Sequence, residues 1–279
     1  MNKKIGIIFA LVVVAFLVMG TASAGLFDFL GGGNNSGNAT ANDESTFIVG
    51  FDAEFPPYGF KDNSGNYTGF DLDLAKEVCE RNNWTFKAQP IDWDAKDAEL
   101  DSGSIDCIWN GFTIDGREND YLWSDPYFDN KQVFVVKSDS GISSIDDLSG
   151  KTVETQKDSS ALAALQGDNK TIADKFGTLT EVADYNTAFM DLESGACDAV
   201  AMDIGVAEYD IKNKNDSAAD FKILNDSITT EKYGIGFKKG NDALKDKVQA
   251  TLDEMFKDGT VAKIAKDYGI SEDALIQPK

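Results

Sequence analysis

The chain has no histidine in its 279 residues. That removes the commonest general base at neutral pH and the commonest transition-metal ligand together. No metal and no other cofactor is expected. Arginine is almost as scarce: of 26 basic residues only Arg81 and Arg117 are arginines, and lysine serves everywhere else. Cysteine is limited to Cys79, Cys107 and Cys197, each inside an apolar stretch. An odd number cannot all pair within one chain, so the expectation is buried free thiols rather than a disulfide framework. Positive charge is outweighed throughout, with 48 acids giving a net charge of −22. This argues against nucleic acid and anionic lipid as partners, since both require basic surface.

Long apolar runs are confined to the N-terminus. Met-Asn-Lys-Lys leads into IGIIFALVVVAFLVMG and then Thr-Ala-Ser-Ala at 21–24. A basic start, an apolar centre and a small-x-small end predict a secretory signal over residues 1–24. An uncleaved anchor is the alternative, because 16 apolar residues fall only slightly short of a span. Removing 1–24 takes away Lys3, Lys4 and no acid, which moves the net charge to −24. Residues 25–45, dominated by Gly, Asn and Ser, read as a flexible linker. The expected location is extracytoplasmic, at the cell surface or in a periplasm, with a membrane tether if the N-terminal segment is kept.

From Ser45 onward short apolar strands alternate with amphipathic helices, the pattern of an α/β fold. TFIVGFD reads as a strand, GFDLDLAKEVCERNN and DAKDAELDSG as helices, and IDCIWNG as the next strand. The stretch LDSGSIDCIW at 100–109 returns as LESGACDAVA at 192–201, 92 residues later. Each copy reads as a helix end, a glycine cap and a buried strand, so two similar lobes are expected. Ligands of open α/β sheets bind beyond the carboxyl ends of strands. That directs attention to Asn110–Thr113 in one copy and to Met202 and Asp203 in the other. The expected division is 46–134 with 233–279 as lobe 1 and 135–232 as lobe 2. The return crossing falls in EKYGIGFKKG, and two consecutive helices follow it.

GFDAEFPPYGFKDNSGNYTGFDLDLAKEV, LDSGSIDCIWNGFTIDGRENDYLWSDPYF and DGTVAKIAKDYG together resemble the polar amino-acid-binding solute receptors of ABC importers, solute-binding protein family 3. The resemblance covers about residues 46–270. It implies a two-lobed periplasmic-binding-protein-like fold of type II, each lobe a sheet flanked by helices, with a two-strand hinge. It further implies a monomer that closes over a free amino acid and docks on an ABC permease.

The site residues follow from the resemblance and from what a free amino acid demands. Its planar α-carboxylate wants a planar two-donor partner, which arginine offers and lysine does not; Arg117 stands where the family carries that arginine. A surface pair with Glu118 or Asp120 is the competing role. Asp203 and Asp52 occupy the family's positions for amine ligands, though Asp52 also suits a cap for the turn before Phe55. Thr113, the backbone of Gly111, Ser159 and Ser160 are expected to donate to the carboxylate. Ser159 reads equally well as a helix N-cap. Gln156 matches a contact position. Phe55 and Trp93 match positions where aromatics pack on the ligand side chain, and either could be plain core. The segment from Gly111 to Arg117 is one residue shorter than the family's commoner spacing, and Gly116 is expected to absorb the tighter turn.

Two other functions compete with this one. A cyclohexadienyl-dehydratase-like enzyme of the same fold needs a positioned acid in the pocket, and without histidine an enzyme is not expected. A ligand-binding subunit for a separate sensor is the other, because the sequence shows no signalling domain of its own.

Overall fold

The computed structural model describes residues 45–213 and 220–277. The expected signal and residues 25–44 of the linker lie outside the described residues. Among those described, no helix is long and apolar enough to cross a membrane.

Two principal sheets organise the chain. The first has five strands in the order Thr85–Pro90, Thr46–Phe51, Cys107–Ile108, Gly236–Phe237 and Leu122–Trp123. Thr46–Phe51 runs parallel to both neighbours, as expected of strands joined by crossover helices. Phe47, Val49 and Phe51 are buried on one of its faces. Helix Phe70–Asn82 turns Leu72, Ala75, Val78 and Cys79 inward at helical spacing. The second sheet is built on the long strand Phe128–Lys137, which pairs with Ala199–Asp203, Phe221–Ile223 and Thr229–Tyr233. Thr152–Gln156 and Thr178–Val182 extend it in parallel. A small three-stranded sheet, 54–68, flanks the first.

The chain passes between the two sheets twice. It leaves the first after Trp123 and returns to it at Gly236. The two crossing segments hold one another: Ser124 N–H donates to the Ile235 carbonyl at 3.0 Å, and Tyr127 N–H to the Tyr233 carbonyl at 3.0 Å. The expected strand at 231–240 is thus two strands in different sheets, parted at Gly234. The expected boundary between 134 and 135 falls inside Phe128–Lys137, which pairs with the second sheet from its first residue to its last.

The sequence echo has a structural cause. Helix Lys96–Ser102 ends on Gly103 and helix Tyr185–Ser194 on Gly195, with φ of 78° and 82°, the left-handed region that a Cβ disfavours. The shared aspartate then does the same thing twice. Asp106 exchanges bonds with Ile48, its Oδ2 accepting from Ile48 N–H at 2.7 Å while its own N–H donates to the Ile48 carbonyl at 2.8 Å. Asp198 does so with Thr152 at 2.9 and 2.9 Å. Each aspartate locks a new strand onto a parallel neighbour in its own sheet.

Candidate ligand-binding cleft

The strand Cys107–Ile108 is followed by Trp109, Asn110 and Gly111, whose φ of 55° brings the backbone close to two rings. A Cβ there would stand 2.7 Å from Phe55 Cε1 and 3.1 Å from Tyr233 Cε2. Beyond it, Ile114 N–H donates to the Lys232 carbonyl at 2.9 Å and Gly234 N–H to the Phe112 carbonyl at 2.9 Å, so residues 112–114 lie against the returning chain. The chain then turns through Gly116, φ 81°, and Arg117 N–H closes the turn on the Ile114 carbonyl at 2.8 Å. Gly116 supplies the left-handed residue of this turn.

The Arg117 guanidinium lies 5.4 Å from the centre of the Phe112 ring and donates to the carbonyls of Asp158 at 3.0 Å and Thr113 at 3.4 Å. No carboxylate of a described residue pairs with it, Glu118 and Asp120 included. A guanidinium carries five N–H donors, so donors remain for a planar anion.

Opposite it stands Asp203, at the end of the strand Ala199–Asp203 and 4% exposed. Its Oδ1 accepts from Tyr233 Oη at 2.6 Å and from the amides of Asn130 and Gln132 at 2.7 Å each. Its Oδ2 has no donor among the described residues. Burial pushes this carboxyl up to about 7, and the nearby Glu231 carboxylate adds to the rise.

Arg117 and Asp203 line one cavity. The near wall carries Phe55, Trp93, Gly111 and Thr113, and the far wall Gln156, Ser159 and Ser160. Nine of the ten expected site residues therefore converge. The tenth, Asp52, lies just outside in the adjoining cleft, which it shares with Trp93. Asp52 fills the competing role as a turn cap, accepting from Glu54 N–H at 2.8 Å, and it also accepts from Gln156 Nε2 at 2.6 Å. Burial raises its carboxyl to about 6. Ser159 is an N-cap, its Oγ accepting from Leu162 N–H at 3.1 Å. The room left open inside the cavity is about 10 Å³, near the ~10–15 Å³ that one water needs. The cleft is shut.

Three groups on the residues expected to donate to a carboxylate are engaged within the protein. Gly111 N–H is taken by the buried Asp71, whose Oδ2 accepts it at 2.5 Å. The Thr113 hydroxyl donates to Glu231 Oε1 at 2.9 Å, and the Ser160 hydroxyl donates to Glu231 Oε2. An N–H or O–H committed to an internal carboxylate is not free for a ligand anion.

Several residues that matter here escaped the sequence reading. Glu231 is one; its signal was alternation in TTEKY, where Glu231 shares its inward register with the buried Tyr233. Asn130 and Gln132, two apart on one strand, had the same signal. Lys96 and Asp158 had none, because their ion pair joins segments 62 residues apart.

Residues 47–271 match the family of bacterial extracellular solute-binding proteins, family 3. The chain belongs to that family. A probable histidine-binding protein of Neisseria gonorrhoeae is 33% identical to this family 3 protein over 250 residues, 87% of this chain and 90% of that one. The L-cystine-binding protein TcyJ of Escherichia coli is 30% identical over 81% of this chain and 83% of its own. Among solved structures, a histidine-bound substrate-binding protein of an ABC uptake transporter from Streptococcus pneumoniae superposes with a TM-score of 0.79 at 32% identity. It covers 83% of this chain and 95% of that one. These matches extend the type II solute-receptor architecture over the two sheets and both crossing segments.

Proposed function

We propose that this family 3 protein binds one free L-amino acid in the cleft and delivers it, outside the cytoplasmic membrane, to the permease of an ABC importer. One observation carries the reading. Among the described residues, a guanidinium without a carboxylate partner and a buried carboxylate without a cationic partner line the same cavity. A zwitterion brings both missing partners, its α-carboxylate to Arg117 and its α-ammonium to Asp203. The relatives named for histidine and cystine support an amino acid as cargo, and their being binding proteins supports a receptor over an enzyme.

Phe55 and Trp93 would flank the amino-acid side chain. Past them, a cleft of about 580 Å³ carries Asp52, Glu54, Asp92, Asp94, Glu99 and Asp184 against a single lysine, Lys157. Such surroundings favour a side chain that ends in a positive charge or a hydrogen-bond donor. The shut cleft requires the two sheets to part for entry, so affinity arises in the closed form and ligand shifts the population toward it. The same reading has the lobes divide at the two crossing segments and the protein act as a monomer.

Calorimetric titration of the purified protein against the common L-amino acids, ornithine and cystine tests this. At least one tight binder is expected, with arginine, lysine, ornithine and histidine ahead of aspartate and glutamate. No binding by any of them would sink the reading.

A further inference from the structure

Glu231 is 4% exposed, yet its carboxylate faces no cation among the described residues. It stands behind the cavity wall, in the strand Thr229–Tyr233 that leads back to the first sheet. Four donors point at it. Asn130 Nδ2 and Gln132 Nε2 each give Oε1 a hydrogen bond at 2.8 Å, and the same two amide nitrogens also donate to Asp203 Oδ1. The other two donors are the hydroxyls of Thr113 and Ser160, which come from opposite walls of the cavity.

The direction of those two hydroxyl bonds has a chemical consequence. A hydroxyl has one hydrogen and two lone pairs. Once the hydrogen is committed to Glu231, the oxygen presents only acceptor character to the space on its other side. Thr113 and Ser160, which line the cavity with Asp203, can therefore offer a ligand there their hydroxyl oxygens only as acceptors, alongside the Asp203 carboxylate. Three acceptor oxygens match the three N–H donors of an ammonium group, and they oppose an uncharged hydroxyl or keto group at the same point, which brings one hydrogen or none.

We propose that Glu231 is a positioning residue: by taking the Thr113 and Ser160 hydroxyl hydrogens it makes that wall of the cleft select a protonated α-amine over other substituents at the same carbon. The inference rests on the amino-acid reading above. It is distinct from it, because Asp203 alone suffices for binding an amine, whereas Glu231 sets the discrimination. In Glu231→Gln the size is kept, but an amide N–H now faces one of the hydroxyls. That hydroxyl must turn its hydrogen into the cavity, against the ammonium.

The test uses the full protein and pairs the L-amino acid that binds tightest in the titration panel with its 2-hydroxy-acid analogue, measured by displacement. Wild type is expected to prefer the amine by at least a hundredfold. Glu231→Gln is expected to shrink that ratio by tenfold or more through weaker amino-acid binding, with the analogue's affinity held or improved. Oε1 keeps its two amide donors in Glu231→Gln, so the new N–H faces Ser160. Ser160→Ala should shrink the ratio too, and the double variant of these two should lose less than the product of the two single losses, because both act on one hydroxyl. Equal losses for both compounds, or an unchanged ratio, would mean that Glu231 is merely structural and would overturn the proposal. If Glu231→Gln does not fold, by circular dichroism, the Thr113→Val and Ser160→Ala ratios decide alone, and unchanged ratios overturn it. Wild-type protein that binds no amino acid overturns the amino-acid reading, and this assignment with it.

Discussion

Lys96 and Asp158 form an ion pair across the cleft in which the lysine side chain is 1% exposed and the aspartate side chain 51%. Asp158 belongs to the loop after the strand Thr152–Gln156 of the second sheet, in a left-handed conformation at φ 54°. From the first-sheet side it also receives Trp93 Nε1 at 3.3 Å and the Arg117 guanidinium at 3.0 Å, both on its carbonyl. One residue thus gathers three contacts from the opposite wall. With Gln156 donating to Asp52, these bonds latch the closed form.

The asymmetry of burial makes the latch testable. Asp158→Asn, which tolerates the left-handed conformation, strands a buried ammonium. Lys96→Met leaves a carboxylate that water reaches. A charge left unpaired in the interior costs far more than one at the surface. Asp158→Asn is therefore expected to weaken amino-acid binding more than tenfold, about 1.4 kcal/mol, and Lys96→Met less than fivefold. Calorimetry on both variants checks this, and the reverse ranking would refute the latch.

Arg117→Lys keeps the charge and loses the planar fork. Its expected effect on amino-acid affinity is a loss of about 2–5 kcal/mol, the range for truncating one partner of a desolvated charge pair. The melting temperature without ligand should change little, since the guanidinium has no carboxylate partner among the described residues. Affinity within twofold of wild type would remove Arg117 from the site.

Acidity should act on stability and binding in opposite directions. Burial raises Asp203 and Asp71 to about 7 and Asp52 to about 6, from ordinary values near 3.8. Between about pH 4 and 7 the folded protein therefore binds more protons than the unfolded chain at these groups, so their contribution to stability falls as pH rises. The ligand-free protein is expected to melt at a higher temperature at pH 5 than at pH 7.5. An amine needs Asp203 ionised, so affinity should drop as pH falls below about 7, and Asp203→Asn should flatten that dependence. A ligand-free melting temperature that climbs from pH 5 to 7.5 would contradict the assignment.

Cys79, Cys107 and Cys197 are free and buried, as the sequence led one to expect. Burial pushes the Cys79 and Cys197 thiols up to about 12, and Cys107 rises as well. Thiolate is the reactive form. Iodoacetamide at pH 8 should leave the native protein unlabelled and add three groups in denaturant, as read by intact-mass measurement. Fast labelling of the native protein would contradict this burial.

What the sequence determined by itself is local. The helical spacing of Leu72, Ala75 and Cys79 set an amphipathic helix. The repeated Leu-acid-Ser-Gly pattern set two equivalent helix caps and strand starts. Arginine in a lysine-rich chain marked Arg117, and positions Phe55, Trp93, Thr113, Ser159, Ser160 and Asp203 were marked by resemblance. These depend on near neighbours or on residue type alone. The tertiary structure decided what each group is bonded to. Gly111 N–H belongs to Asp71, and the Thr113 and Ser160 hydroxyls belong to Glu231. Lys96 answers Asp158, and one chain segment, 229–237, serves both sheets. A backbone N–H or a hydroxyl has one hydrogen to commit, and the partners of these groups lie 40 to 118 residues away in sequence. Only the folded chain brings such pairs within reach.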